Sequence, residues 1–170
     1  MVKDESLAKV YMPLPLAYSV DCKIVVLPYF SVELTENILG VVIEDIVVGL
    51  EQIKDSFYRL DWIKDEYFIK NKKPHLPKRE NMEALIAIED DFNETIDILQ
   101  KNGVTSDFLD EDGRYWLEDR YSSSEGIVYS VKERDCFVES KDYNNYIRLF
   151  WKLSIKKQQP SKRNKLQAKR

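Results

Sequence analysis

The chain has 170 residues, 44% of them hydrophobic and 33% charged, with a formal net charge of −4. A chain of this length buries roughly 70% of its unfolded surface, so it can build a core without disulfides or metal. Five Gly and six Pro exclude collagen-like and low-complexity classes. The two cysteines, Cys22 and Cys136, are too few for a disulfide scaffold. With the lone His75 they cannot complete a four-ligand zinc site. No cofactor or metal is therefore expected.

The segment 1–17 carries Pro13 and Pro15 and shows no clean period, so it reads as an irregular lead-in. Acids appear at once in Met1-Val2-Lys3-Asp4-Glu5, and no apolar h-region of adequate length follows, which argues against a secretory signal. The run 18–29, with Val20, Cys22, Ile24, Val25, Val26 and Leu27, predicts a strand covered on both faces.

Ser31 stands where a helix N-cap belongs, with Glu33 and Glu36 in the first turn. Leu34, Ile38, Val41, Val42, Ile46, Leu50, Ile53, Phe57, Leu60 and Ile63 follow at helical spacing. They predict one long helix, or two with a break near Asp61. Gly40 and Gly49 lower helix propensity and mark close packing. Glu44 and Asp45 interrupt the apolar run 38–50, which is also too short to span a bilayer. No membrane association is expected, and a cytoplasmic location follows.

The basic segment 70–79, with Pro74 and Pro77, breaks the helix. A second helix is predicted from Asn81, with Leu85, Ile88, Phe92, Ile96 and Leu99 as its stripe and Asn102-Gly103 as its stop. Beyond it the period changes. Asp112-Gly113 predicts a turn or hairpin, and residues 126–131 and 136–139 pair across a turn at 132–135. Ile147, Leu149, Trp151, Leu153 and Ile155 alternate with Tyr146, Arg148, Phe150, Lys152, Ser154 and Lys156, a strand with one face on the core. The expected fold is α+β, a helical hairpin of two long helices packed on an antiparallel sheet formed mainly by the C-terminal third. Its domain spans 18–155, followed by a basic disordered tail, 156–170.

Charge is strongly segregated. The tail holds seven basic residues and no acid, leaving nineteen basic and thirty acidic residues elsewhere, a net −11. Segment 80–119 has thirteen acids against Lys101 and Arg114. Glu83, Asp90, Glu94 and Asp97 share the helix face opposite the apolar stripe, which predicts a surface for a basic protein partner. The solvating role of such a face is the plainer alternative. A rival reading is contact with nucleic acid. Tyr146, Arg148, Phe150 and Lys152 would form an aromatic and basic strand face, joined by the 70–79 loop and by Lys162, Arg163 and Lys165 of the tail.

Catalytic signatures are weak. Aligning Gly113 with the invariant glycine of an EF-hand places Phe108 at the first ligand position, where a carboxylate is required. No glycine lies in a phosphate-loop pattern, and neither a nucleophile elbow nor a cysteine-protease signature accompanies His75. The sequence therefore predicts a small non-catalytic binding module of inhibitor, immunity or adaptor type.

Overall fold

The computed structural model describes residues 14–20, 23–27, 37–66 and 73–153. Eight strands form one mixed sheet: β1 (Leu16–Val20), β2 (Lys23–Leu27), β3 (Ile38–Ile43), β4 (Ile46–Asp55), β5 (Arg114–Arg120), β6 (Glu125–Ser130), β7 (Asp135–Ser140) and β8 (Asn145–Lys152). Their order is β2-β1-β3-β4-β8-β5-β6-β7. All neighbours are antiparallel except β5 and β8, which meet in parallel through one pair, Tyr115↔Tyr146. Above that pair, residues around His75 fill the gap. His75 and Phe150 exchange two backbone hydrogen bonds of 2.9 Å, and Glu118 N donates to Pro77 O.

Three short helices accompany the sheet: α1 (Leu60–Glu66), α2 (Arg79–Ala87) and α3 (Glu89–Lys101). α2 and α3 bury Met82, Leu85, Phe92, Ile96 and Leu99 against one sheet face, together with Val48, Tyr115, Leu117 and Phe150. α1 covers a second core on the other face, where Leu60, Ile63 and Leu76 meet Trp116, Ile147, Leu149 and Trp151. Both faces of the central strands are thus apolar and covered, while β2 and β7 at the edges are largely exposed.

The helical hairpin of two long helices is not present among the described residues, and the sheet draws four strands from the N-terminal half. Residues 38–50, expected to be helical, form the β3–β4 hairpin. Val42 and Val47 enter one core while Val41 and Val48 enter the other. A strand buried on both faces reads as a continuous apolar run, and such a run fills every template, helical or extended. The β-branched residues Val41, Val42, Ile43, Ile46, Val47 and Val48 favour the strand. Glu44-Asp45, read as an interruption, is the two-residue turn, with Glu44 at φ 54°. Gly40 and Gly49 face each other across the hairpin. A Cβ on Gly40 would lie 2.2 Å from the Val48 carbonyl oxygen, so only glycine fits there.

The second expected helix is two, α2 and α3, parted at Ile88. Asn81 is not the N-cap but sits three residues beyond it, where its Oδ1 accepts the Lys78 backbone N–H at 2.9 Å. Gly103 does adopt the left-handed conformation, φ 80°, after the last turn of α3. The single strand expected over 18–29 is the β1–β2 hairpin, and β1 begins at Leu16, inside the expected lead-in. The pairing of 126–131 with 136–139 is the β6–β7 hairpin. Ile147, Leu149, Trp151 and Leu153 are buried as the alternation predicts. Ile155, Ser31, Cys22, residues 1–13 and the tail lie outside the described residues. No helix among the described residues is long and apolar enough to cross a membrane.

Candidate interaction surface

α3 presents the clearest charged surface. Its inner side buries Phe92, Thr95, Ile96 and Leu99. Its outer side exposes Asp90, Asp91 and Glu94, with Asp97 half-buried. Glu83 on α2 is also exposed but is held by Arg79, Nε to Oε1 2.8 Å, and Arg79 reaches on to Asp135 at 3.4 Å. Asp97 is held by Lys101 at 2.6 Å. Among the described residues no cation forms an ion pair with Asp90, Asp91 or Glu94. The four predicted residues therefore divide: Glu83 and Asp97 are locally compensated, Asp90 and Glu94 are not. Asp90 and Asp91 stand in the first turn of α3, where the helix dipole favours a carboxylate. Glu94 has no such local support, and its i,i+4 relation to Asp90 is repulsive by a few tenths of a kcal/mol.

The even positions of β8 do not form a surface. Arg148 and Phe150 are fully buried beneath the helices, Tyr146 is half-buried, and only Lys152 is exposed. The aromatic and basic strand face expected for nucleic acid is thereby removed, because the sheet is covered on that side too. Lys162, Arg163 and Lys165 lie outside the described residues, as do residues 70–72 of the basic loop.

Arg148 has a different task. Its Nη1 donates to Gly49 O at 2.7 Å. Its Nη2 donates to Asp107 O at 2.7 Å, Gln52 Oε1 at 3.0 Å and Phe108 O at 3.2 Å. The guanidinium lies 5.4 Å from the Phe92 ring centre. It ties the irregular stretch of β4, where pairing with β8 shifts between Val48 and Gln52, to the loop after α3. Asp107 fastens the same junction, its carboxylate accepting Gln52 N at 2.9 Å and its N–H donating to Leu50 O at 2.8 Å. Burial pulls the Arg148 pKa down, opposed by Tyr115 and Asp107.

The network continues through two tyrosines. Tyr115 donates its hydroxyl to Gln52 Oε1 at 2.6 Å and accepts Asp110 N at 3.0 Å. Tyr146 donates to Asp110 Oδ2 at 2.8 Å, and the two rings lie 5.3 Å apart. Burial pushes the Tyr115 hydroxyl up to about 12. The hydrogen bond to Asp110 is the main cause raising Tyr146. None of this was legible as a site in the sequence, where Gln52, Asp107 and Tyr115 carry no motif. Its role is to hold the platform on which α3 rests.

Two concavities stand out among the described residues. An apolar pocket of about 530 Å³ opens where β4 runs on past β3, between Leu39, Ile53, Leu149, Trp151 and residues 102–105. A polar cleft of about 450 Å³ lies between α1 and the end of β5, bordered by Phe57, Leu60 and Leu76 of the core under α1. Cys136 is a free thiol, half-buried, whose pKa is raised by burial, so it has no thiolate character that would mark a nucleophile. Among the described residues no group of three or more His, Cys, Asp or Glu side chains could hold a metal ion. No family model matches the chain, and no curated protein matches it either.

Proposed function

We propose that the protein is a small binding module, of inhibitor, immunity or adaptor type, that engages a basic protein through the outer face of α2 and α3. The observation carrying this reading is the cluster Asp90, Asp91 and Glu94, without an ion-pair partner among the described residues, on a helix whose opposite side is wholly committed to the core. A rigid helix pressed onto a sheet holds its charges in fixed register, which favours electrostatic complementarity with a partner. The surrounding segment, with thirteen acids in forty residues, extends the same field and would steer a cationic surface toward α3 while repelling nucleic acid from that side.

The test is capture from the native host with matched baits, wild type and Asp90→Lys with Glu94→Lys. Both positions are exposed, so the variant should fold with little change in stability. A basic protein retained by the wild type and released by the variant, with a slower association rate and a weaker salt dependence, supports the reading. Equal retention of the same partner by both baits refutes it.

A further inference from the structure

The sheet separates the acidic helices from the polar cleft on its other face. Three cations reach that cleft from three elements: Lys64 from α1, Arg120 from the end of β5 and Lys141 from the turn after β7. Among the described residues none of the three is in an ion pair. Lys141 is positioned by other means, its Nζ 3.3 Å from Ser123 O and 4.9 Å from the Phe57 ring centre.

Two carboxylates, Asp61 and Glu118, also line the cleft but stand beyond ion-pair distance of Lys64. Lys64 is half-buried over the second core. Burial lowers its pKa, Lys73 and Arg120 push the same way, and Glu118 and Asp61 only partly offset them. The ammonium is thus partly desolvated without a bonded counter-ion among the described residues, which is costly unless an anion is supplied.

The loop after β5 adds donors. Ser122 Oγ accepts the backbone N–H groups of Ser124 at 3.3 Å and Glu125 at 2.9 Å. With those acceptor directions occupied, its hydroxyl hydrogen is left to donate elsewhere. Tyr121, 60% exposed, lines the cleft beside it.

We infer that this cleft binds a small phosphate-bearing anion, held by Lys64, Arg120 and Lys141 with the Ser122 hydroxyl as a further donor. A guanidinium fork and two ammonium groups around an open cleft match a tetrahedral oxyanion, which accepts from several directions at once. The site is independent of the α3 surface.

Calorimetric titration of the full chain with inorganic phosphate, at low and matched ionic strength, tests the inference. Saturable binding is expected, weakened at least about tenfold, or 1.4 kcal/mol, by Lys64→Met and by Arg120→Met. Lys132→Met, at an exposed cation in the turn between β6 and β7 that pairs with Asp112, should change nothing. Arg120 is exposed, so its variant reports on binding even if Lys64→Met perturbs the fold. The Lys64 ammonium pKa, followed by NMR, should rise on adding phosphate. A second titration with adenosine monophosphate separates free phosphate from a phosphate monoester. Tighter binding than phosphate, lost in Tyr121→Ala, assigns the site to a monoester whose ring rests on Tyr121, and equal binding assigns it to phosphate itself. Absence of saturable binding by the wild type, or equal weakening by Lys132→Met, overturns the inference. The variant Asp90→Lys with Glu94→Lys should bind phosphate as the wild type does, so failure of the α3 reading leaves this result intact.

Discussion

Replacing Arg148 by methionine sets two large effects against each other. Methionine has similar length, keeps a soft contact with the Phe92 ring and removes a guanidinium that is fully buried and whose Nε has no acceptor. Removing a buried charge relieves a desolvation cost of several kcal/mol. What is lost is the hydrogen bonding. Gln52 Oε1 retains the Tyr115 hydroxyl and Leu50 O retains Asp107 N, but Gly49 O, Asp107 O and Phe108 O each lose the guanidinium donor that Arg148 supplies. Each buried acceptor left without a donor costs about 1–3 kcal/mol.

When a buried ion pair is replaced by apolar groups, both charged partners leave together and the change is often neutral or stabilising. Here the partners are backbone carbonyls, which cannot be mutated away, so the orphaned acceptors should dominate. The expected net loss is about 2–4 kcal/mol. For a domain of this length that lowers the melting temperature by roughly 4–16 °C. Urea unfolding followed by tryptophan fluorescence and by far-UV circular dichroism gives the number, and coincident transitions establish that a single free energy is defined. Arg148→Lys should be destabilised too, because one ammonium cannot span acceptors on β4 and on the 107–108 carbonyls. A methionine variant as stable as the wild type, or more so, would show that the buried charge is a burden and that the junction is held by Asp107 alone.

Tyr115 makes stability pH-dependent at the alkaline end. Its folded pKa of about 12 lies above the value near 10 of the unfolded chain. The neutral hydroxyl therefore contributes fully below pH 10, and about 3 kcal/mol is lost as pH rises through 12. Unfolding curves between those limits should show this loss, and Tyr115→Phe should abolish it. Glu44→Gly should stabilise by about 1 kcal/mol, since the first position of this two-residue turn has positive φ. Equal denaturation midpoints would show that the Glu44 side chain compensates its own strain. Gly40→Ala should cost at least about 1–3 kcal/mol, because its methyl group collides with a strand carbonyl that cannot move independently. Wild-type stability in that variant would mean that β3 and β4 can spread.

What could be read from the sequence depended on how many faces of an element are buried. The β6–β7 hairpin was legible because its turn residues are polar and separate two short alternating runs. β3 and β4 were not, because strands packed on both faces lose the alternation that distinguishes extended from helical chain. Composition still carried a hint. A run with six β-branched residues among eight, centred on two acids, suits a hairpin better than a helix interior. The acidic surface was legible as charge on a helix face, but compensation by Arg79 and Lys101 was only partly so. The cleft was hidden because its three cations come from positions 64, 120 and 141, which no local pattern connects.

The misreading of β8 follows from the same cause as that of β3 and β4. Alternation in 146–155 separates two faces correctly, and Ile147, Leu149, Trp151 and Leu153 are all buried. The step that fails is taking the other face to be solvent because it contains Arg148 and Lys152. β8 pairs with β4, so the cover over both faces of the middle of β4 extends over the middle of β8, and of the even positions only Lys152, near its end, is exposed. Once the run at 38–50 is taken as strands needing cover on each side, Arg148 can only be a buried cation. A buried cation requires acceptors that do not depend on a surface. The irregular part of β4 and the turn after α3 supply them as carbonyls freed from regular pairing. The two irregularities and the one buried charge are therefore a single feature. Arg148 satisfies the backbone that the bend in β4 leaves open, and the bend gives Arg148 a reason to be inside.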